Sequence, residues 1–141
     1  MTPSHWLVKT EPSAYSFGRL EKEGRTLWTG VRNFQARNFL REMRPGDRVL
    51  VYHSGSEKSF VGLASVSGKP GPDPTAKGED WVAVELLARA PLPCPVALAE
   101  VRKGKAFAGL AVLSRPRLSV APVSKAHFDA LVKLGATPPR G

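Results

Sequence analysis

Between Thr26 and Ser54 the chain gathers side chains suited to holding a flat polar ring beside an anion. Trp28-Thr29-Gly30 sets an aromatic face next to a residue without a side chain, where a ligand or a neighbouring chain can approach the backbone. A base stacked on such a ring gains about 1–3 kcal/mol in single-strand binders. Trp28 would serve equally well as core, with its N–H satisfied internally. Arg32-Asn33 opens a helix, whose free backbone N–H groups and positive dipole end suit an anion. Arg37 and Arg41 follow one and two turns on, as a solvated face or as phosphate contacts; the overall charge favours the second. On the next strand Tyr52 and Ser54 share a face and offer hydroxyls that can read a base edge. Tyr52 also fits an ordinary core position, and His53, pointing the opposite way, reads as a hydrogen-bonded structural histidine.

Bond-breaking chemistry finds little support. His5, His53 and His127 are far apart, and with the single Cys94 they match no zinc spacing. Cys94 lies between Pro93 and Pro95, a poor seat for an activated thiolate. No Walker or dinucleotide glycine pattern occurs. His53 and Ser54 are adjacent on a strand and face apart, so they cannot easily work as base and nucleophile. Glu11 has no second carboxylate beside it. The expectation is a binding protein without metal or cofactor.

The bulk composition points to the partner. Lys and Arg number 21 against 12 acidic residues, a net charge of +9. Such a surface attracts polyanions, of which nucleic acid, DNA or RNA, is the commonest inside cells; the plain alternative is a solubilising surface. At 141 residues the chain is long enough to bury a core without disulfides. No apolar run is long enough to span a bilayer and the N-terminus is unlike a signal peptide, so no membrane partner is expected. One cysteine fits a reducing cytoplasm. Asn33, Asn38 and Gln35 are the only side-chain amides, a scarcity that suits a thermophilic source or a biased genome.

The elements that must carry these residues can be read locally. His5–Lys9 reads as a strand closed at Glu11-Pro12, and Tyr15–Lys22 as a short helix with Ser16 as its cap. Ala36, Phe39, Leu40 and Met43 recur at helical spacing behind an Asn33 cap, with Pro45-Gly46 as the stop. Arg37, Arg41 and Arg44 form a second stripe. In Arg48–Ser54, Val49, Val51 and His53 alternate with Leu50, Tyr52 and Ser54. Ser59–Ser67 and Trp81–Arg89 read as strands around a surface loop from Gly68 to Asp80, and Pro91–Pro95 as a break. Val96–Lys103 and Ala106–Leu113 suit short helices, and Arg117–Val120 a late strand. A last helix is capped by Ser124, buries Phe128, Leu131 and Val132, and stops at Gly135. Sequential elements tend to pack together, which would place Trp28, Tyr52 and Ser54 around one concave site. The mixture implies an α+β fold, or a small barrel with flanking helices, as one domain over residues 1–137 with a flexible tail at 138–141.

Longer runs go further. Trp6 to Pro12, Tyr15-Ser16-Phe17, Trp28 to Asn38, Gly46-Asp47, Tyr52-His53-Ser54, Val61-Gly62, Asp73-Pro74, Trp81 and Arg117 to Val123 together resemble the EVE domain, including its thymocyte nuclear protein-like members. The resemblance covers nearly the whole chain; one departure is Ala121, where the family often has Gln. It implies a PUA-like fold, a small, strongly bent β-barrel flanked by short helices and related to YTH and ASCH domains. It also implies a pocket that reads a nucleobase, one that is modified and flipped out of its stack. Trp28, Gly30, Asn33, Tyr52, His53, Ser54 and Trp81 are the implied pocket residues. Lys9 and Arg117 are implied at its rim, where Arg32, Arg37 and Arg41 would hold the backbone. Any chemistry on the bound strand would come from a partner enzyme on another chain. The alternatives are an RNA-binding module of translation or RNA modification and an enzyme for a nucleotide-like small molecule.

Overall fold

A computed structural model describes residues 4–76, 80–103, 107, 109–115 and 118–136. Its helices start where the sequence supplies an acceptor for the first free N–H groups. Ser16 accepts from Arg19 N–H at the head of α1 (Phe17–Glu23), Asn33 from Ala36 N–H at α2 (Phe34–Glu42), and Ser124 from His127 N–H at α5 (Lys125–Leu134). α3 (Leu98–Lys103) and α4 (Ala111–Ser114) are single short turns or little more. Gly135 ends α5 with φ of −81°, outside the left-handed region. Space is tight there: a Cβ would come 3.1 Å from the Cys94 carbonyl oxygen and from the Leu92 side chain, so a larger residue would need them to give by a few tenths of an ångström.

The strands are β1 (His5–Thr10), β2 (Arg25–Trp28), β3 (Arg48–His53), β4 (Ser59–Val66), β5 (Gly71–Pro72), β6 (Val82–Ala97) and β7 (Val120–Pro122). They form a mixed sheet in the order β2-β6-β4-β3-β1-β7, with β5 paired to the start of β6. β1 runs parallel to β3, and the other pairs are antiparallel. Register irregularities at Val51/Tyr52, Phe60/Gly62 and Leu63/Ala64 bend the strands. The sheet thereby curls into a half-barrel with short helices against it, the PUA-like α+β architecture.

Both faces of the sheet are buried. Val49 and Val51 join a cluster with Trp6, Val8, Trp28 and Leu40, while Leu50 and Tyr52 join a second with Leu7, Phe60, Phe128 and Leu131. The alternation read in β3 therefore separates two cores. Asp47 ties the sheet to the turn after α2: its carboxylate accepts from Trp6 Nε1–H at 2.9 Å, Ser4 N–H at 3.0 Å and Arg44 N–H at 2.9 Å.

Several elements differ from the local reading. β6 does not end near Arg89 but continues through Pro91, Pro93 and Pro95. Alternate residues of a strand point their N–H positions to the same edge, so the three missing donors coincide. Pairing with β4 skips from Gly62↔Pro91 to Phe60↔Val96, and Cys94 N–H donates to Gly135 O at 2.9 Å. β2, which no local pattern announces, is recruited by β6. The Gly68–Asp80 segment is more than a surface loop: it contains β5 and the buried Asp73. β7 begins at Val120, and Arg117, Ala106, Ala108 and the expected tail lie outside the described residues.

Candidate nucleic-acid interface

A cleft of about 470 Å³ opens where the end of β1, the turn before α1, and the β2–α2 connection meet. Lys9 and Thr10 come from β1, Tyr15 and Arg19 from the turn and α1, Thr26 through Asn33 from β2 and the connection, and Ser119 from just before β7. Trp28, only 8% exposed, is its back wall, and Tyr15 meets that ring edge-on at 6.0 Å between centroids. Thr10 Oγ1–H donates to Tyr15 O at 2.7 Å and fixes the turn. The Tyr15 hydroxyl hydrogen-bonds Glu23, and burial with that carboxylate pushes its pKa up.

The β2–α2 connection is held from a distance. Gly30 has φ of +83°, a left-handed conformation that glycine adopts without strain, and a Cβ there would touch nothing within 4 Å. Backbone conformation, and no crowding by a neighbouring group, accounts for this glycine. Its N–H donates to Asp73 Oδ2 at 2.9 Å, and Arg32 Nη1 donates to the same oxygen at 3.0 Å. Asp73 Oδ1 accepts from Thr75 N–H at 2.7 Å and Thr75 Oγ1–H at 2.6 Å. Burial alone would raise the Asp73 pKa, but the bonds from Thr75, Gly30 and Arg32 outweigh it and hold the carboxyl at about 2. Asp73 therefore stays ionised and clamps the floor of the cleft.

Cations line the opening. Arg32 remains 40% exposed despite its Asp73 contact, and Arg19 lies 5.1 Å over the Tyr15 ring. Burial lowers the pKa of Lys9. Asn33 spends its carbonyl oxygen on capping Ala36 N–H at 2.9 Å, which leaves its amide donors for the cleft.

Of the residues singled out in the sequence, the structure thus gathers Trp28, Gly30, Asn33, Lys9 and Arg32 around one cleft. Tyr52, His53 and Ser54 do not line it, although Lys9 and Thr10, the register partners of Tyr52 and His53, do. Tyr52 lies in the second core, T-shaped against Phe60 at 5.0 Å, with Lys9 Nζ 5.9 Å from its ring. His53 Nε2 accepts from Phe17 N–H at 2.9 Å, so its proton sits on Nδ1, 3.0 Å from Glu57 Oε1. Ser54 N–H donates to Thr10 O. Trp81 stands outside the cleft, stacked on Phe34. Arg41 pairs with the Asp80 carboxylate, and Arg37 donates to the Asp80 carbonyl at 3.4 Å. Arg117 is not among the described residues. Thr10, Tyr15, Arg19 and Ser119 were not singled out as site residues. The local half of the Asp73 clamp was legible, because Asp-Pro-Thr is a sequence in which a carboxylate bonds the backbone two residues on.

The model of the EVE domain family matches residues 4–134. The chain belongs to that family. Human thymocyte nuclear protein 1 is 29% identical over 93% of this chain and 73% of its own length. Among solved structures, this EVE domain is similar to a protein of Agrobacterium tumefaciens, with TM-score 0.91 and 35% identity over 97% of both chains. It is also similar to human THYN1 in complex with DNA containing 5-methylcytosine, with TM-score 0.87 and 28% identity over 96% of this chain and 99% of that one. An ASCH protein of Zymomonas mobilis, 15% identical with TM-score 0.58 over 93% of this chain and 95% of that one, shares the fold of the EVE domain.

Proposed function

We propose that this EVE domain is a non-enzymatic reader of DNA that takes a modified base, of the 5-methylcytosine kind, out of the stack and into the cleft. The observation that carries the proposal is the cleft itself: aromatic walls from Trp28 and Tyr15, a clamped floor at Gly30, and Lys9, Arg19 and Arg32 at the opening. Its volume of about 470 Å³ lies within the roughly 300–1,000 Å³ typical of small-ligand pockets. The similarity to human THYN1, seen with DNA containing 5-methylcytosine, supports the ligand class. Extruding a base costs a few kcal/mol, which contact with the walls and hydrogen bonds to the base edge must offset. Thr26, Asn33 and Ser119 are placed to supply such bonds, and the cations would hold phosphates on either side. The carboxylates nearby are committed to structure: Asp73 takes four hydrogen bonds and Glu11 accepts from Ser13. That supports recognition over acid–base catalysis, with any chemistry on the DNA left to a partner chain.

The test compares duplexes carrying one cytosine or one 5-methylcytosine, the matching RNA, and free 5-methyl-2′-deoxycytidine. The methylated duplex should bind more tightly than the unmodified one, and the nucleoside should bind alone. Trp28→Phe, which keeps an aromatic in the core, should lower nucleoside affinity about threefold to tenfold. Equal affinities for both duplexes, with no nucleoside binding, would overturn the proposal; stronger binding of the RNA would move it to RNA.

A further inference from the structure

Phe34 is 56% exposed, the most exposed large apolar side chain among the described residues. It is nonetheless held firmly. Its ring stacks on that of Trp81 with 5.0 Å between centroids and 15° between planes. The Arg37 guanidinium lies 5.0 Å from the Phe34 centroid and 5.9 Å from that of Trp81, and Arg32 lies 5.6 Å from Trp81. Arg37 and Arg41 of α2 bind Asp80, so the helix that carries Phe34 also anchors the segment that carries Trp81. Trp81 backs one side of the Phe34 ring, and the exposure comes from the rest of it. The pair adjoins the cleft: Asn33, the residue before Phe34, lines it, and Arg32 both lines it and covers Trp81.

A rigid, flat, solvent-facing ring edged by cations suits a partner that is itself flat and lies in a chain of negative charge. We infer that the Phe34–Trp81 pair is a second stacking station, outside the cleft, which takes the face of the base next to the one held inside. This rests on the reading of the cleft as a base pocket. Extrusion of one base uncovers the faces of its neighbours, and an apolar ring inserted at that step covers one of them again. The inference gives Trp81 a role as the support of Phe34 and makes Phe34 a contact for duplex DNA that a lone nucleoside does not use.

The experiment uses Phe34→Ala and Phe34→Trp, surface substitutions that leave both cores untouched. Its probes are free 5-methyl-2′-deoxycytidine and a duplex with 2-aminopurine beside a single 5-methylcytosine. Phe34→Ala should weaken duplex binding about 5-fold to 100-fold, the equivalent of one base stacked on an aromatic ring, and leave nucleoside affinity within about twofold. Phe34→Trp should restore duplex binding. At saturating protein, the 2-aminopurine fluorescence should differ between the wild-type and Phe34→Ala complexes. A wild-type protein that binds the nucleoside, with duplex affinity and 2-aminopurine signal both unaltered by Phe34→Ala, would overturn this inference alone. Equal weakening of nucleoside and duplex would place Phe34 in the cleft and also overturn it. Failure of the wild-type protein to bind the nucleoside would remove the cleft reading and this inference with it.

Discussion

Replacing Asp73 with Asn alters one atom and tests how the cleft is held. The Asp73 side chain is wholly shielded from solvent and accepts from Gly30 N–H and Arg32 on one oxygen and from Thr75 N–H and Oγ1–H on the other. Asparagine has one acceptor oxygen. With that oxygen kept on Gly30 and Arg32, its amide faces Thr75, whose hydroxyl can turn to accept while the Thr75 N–H meets an amide N–H, donor against donor. With hydrogen bonds to a charged group contributing about 1.5–3 kcal/mol each, one of the four lost outright and the others weakened by the loss of the charge, the expected loss is about 2–4 kcal/mol. A second route agrees in scale. Depressing the pKa from 3.8 to about 2 corresponds to on the order of 2 kcal/mol, trimmed by solvent around the 40%-exposed Arg32. Thermal melts at pH 7 should show Asp73→Asn lower by about 5–15 °C. The folded pKa lies below the unfolded one, so this stabilisation is fully present above about pH 4–5 and is lost as pH falls toward 2. Denaturant titrations from pH 6 to 2 should therefore show the gap between the two proteins closing over the acidic end. A gap that keeps its size down to pH 2, or no gap at pH 7, would refute the clamp.

His53→Ala removes the acceptor of Phe17 N–H at the head of α1 and should cost about 1–3 kcal/mol in denaturant unfolding. Nucleoside affinity measured well below its melting temperature should change by no more than about twofold, whereas a larger loss would put the imidazole in contact with the base. Salt should separate grip from reading. If Lys9, Arg19 and Arg32 each neutralise one phosphate, duplex affinity falls about 40-fold between about 50 and 200 mM salt. Nucleoside affinity over the same range should stay nearly constant by calorimetry, and a similar slope for both ligands would contradict the division.

By itself the sequence determined the parts whose partners are close along the chain. Caps at Ser16, Asn33 and Ser124 reach three residues forward, so the helix starts follow from local chemistry. The period of two in β3 fixed which residues face which core, and long family motifs carried the fold. Tertiary structure alone decided the cleft. Gly30 and Asp73 are 43 residues apart, and nothing local says that a loop carboxylate supports the Trp28 turn. The prolines of β6 read as a break because residue preference cannot see that pairing with β4 tolerates them. Tyr52 and Ser54 share a strand face in sequence, but β1 lies against that strand, and its Lys9 and Thr10 are what line the cleft. Arg37 and Arg41 read as a cationic stripe until the fold brings Asp80 beneath them. Short-range hydrogen bonds leave a signature in neighbouring residues; a cleft assembled from four separate segments leaves none until the sheet curls and brings them together.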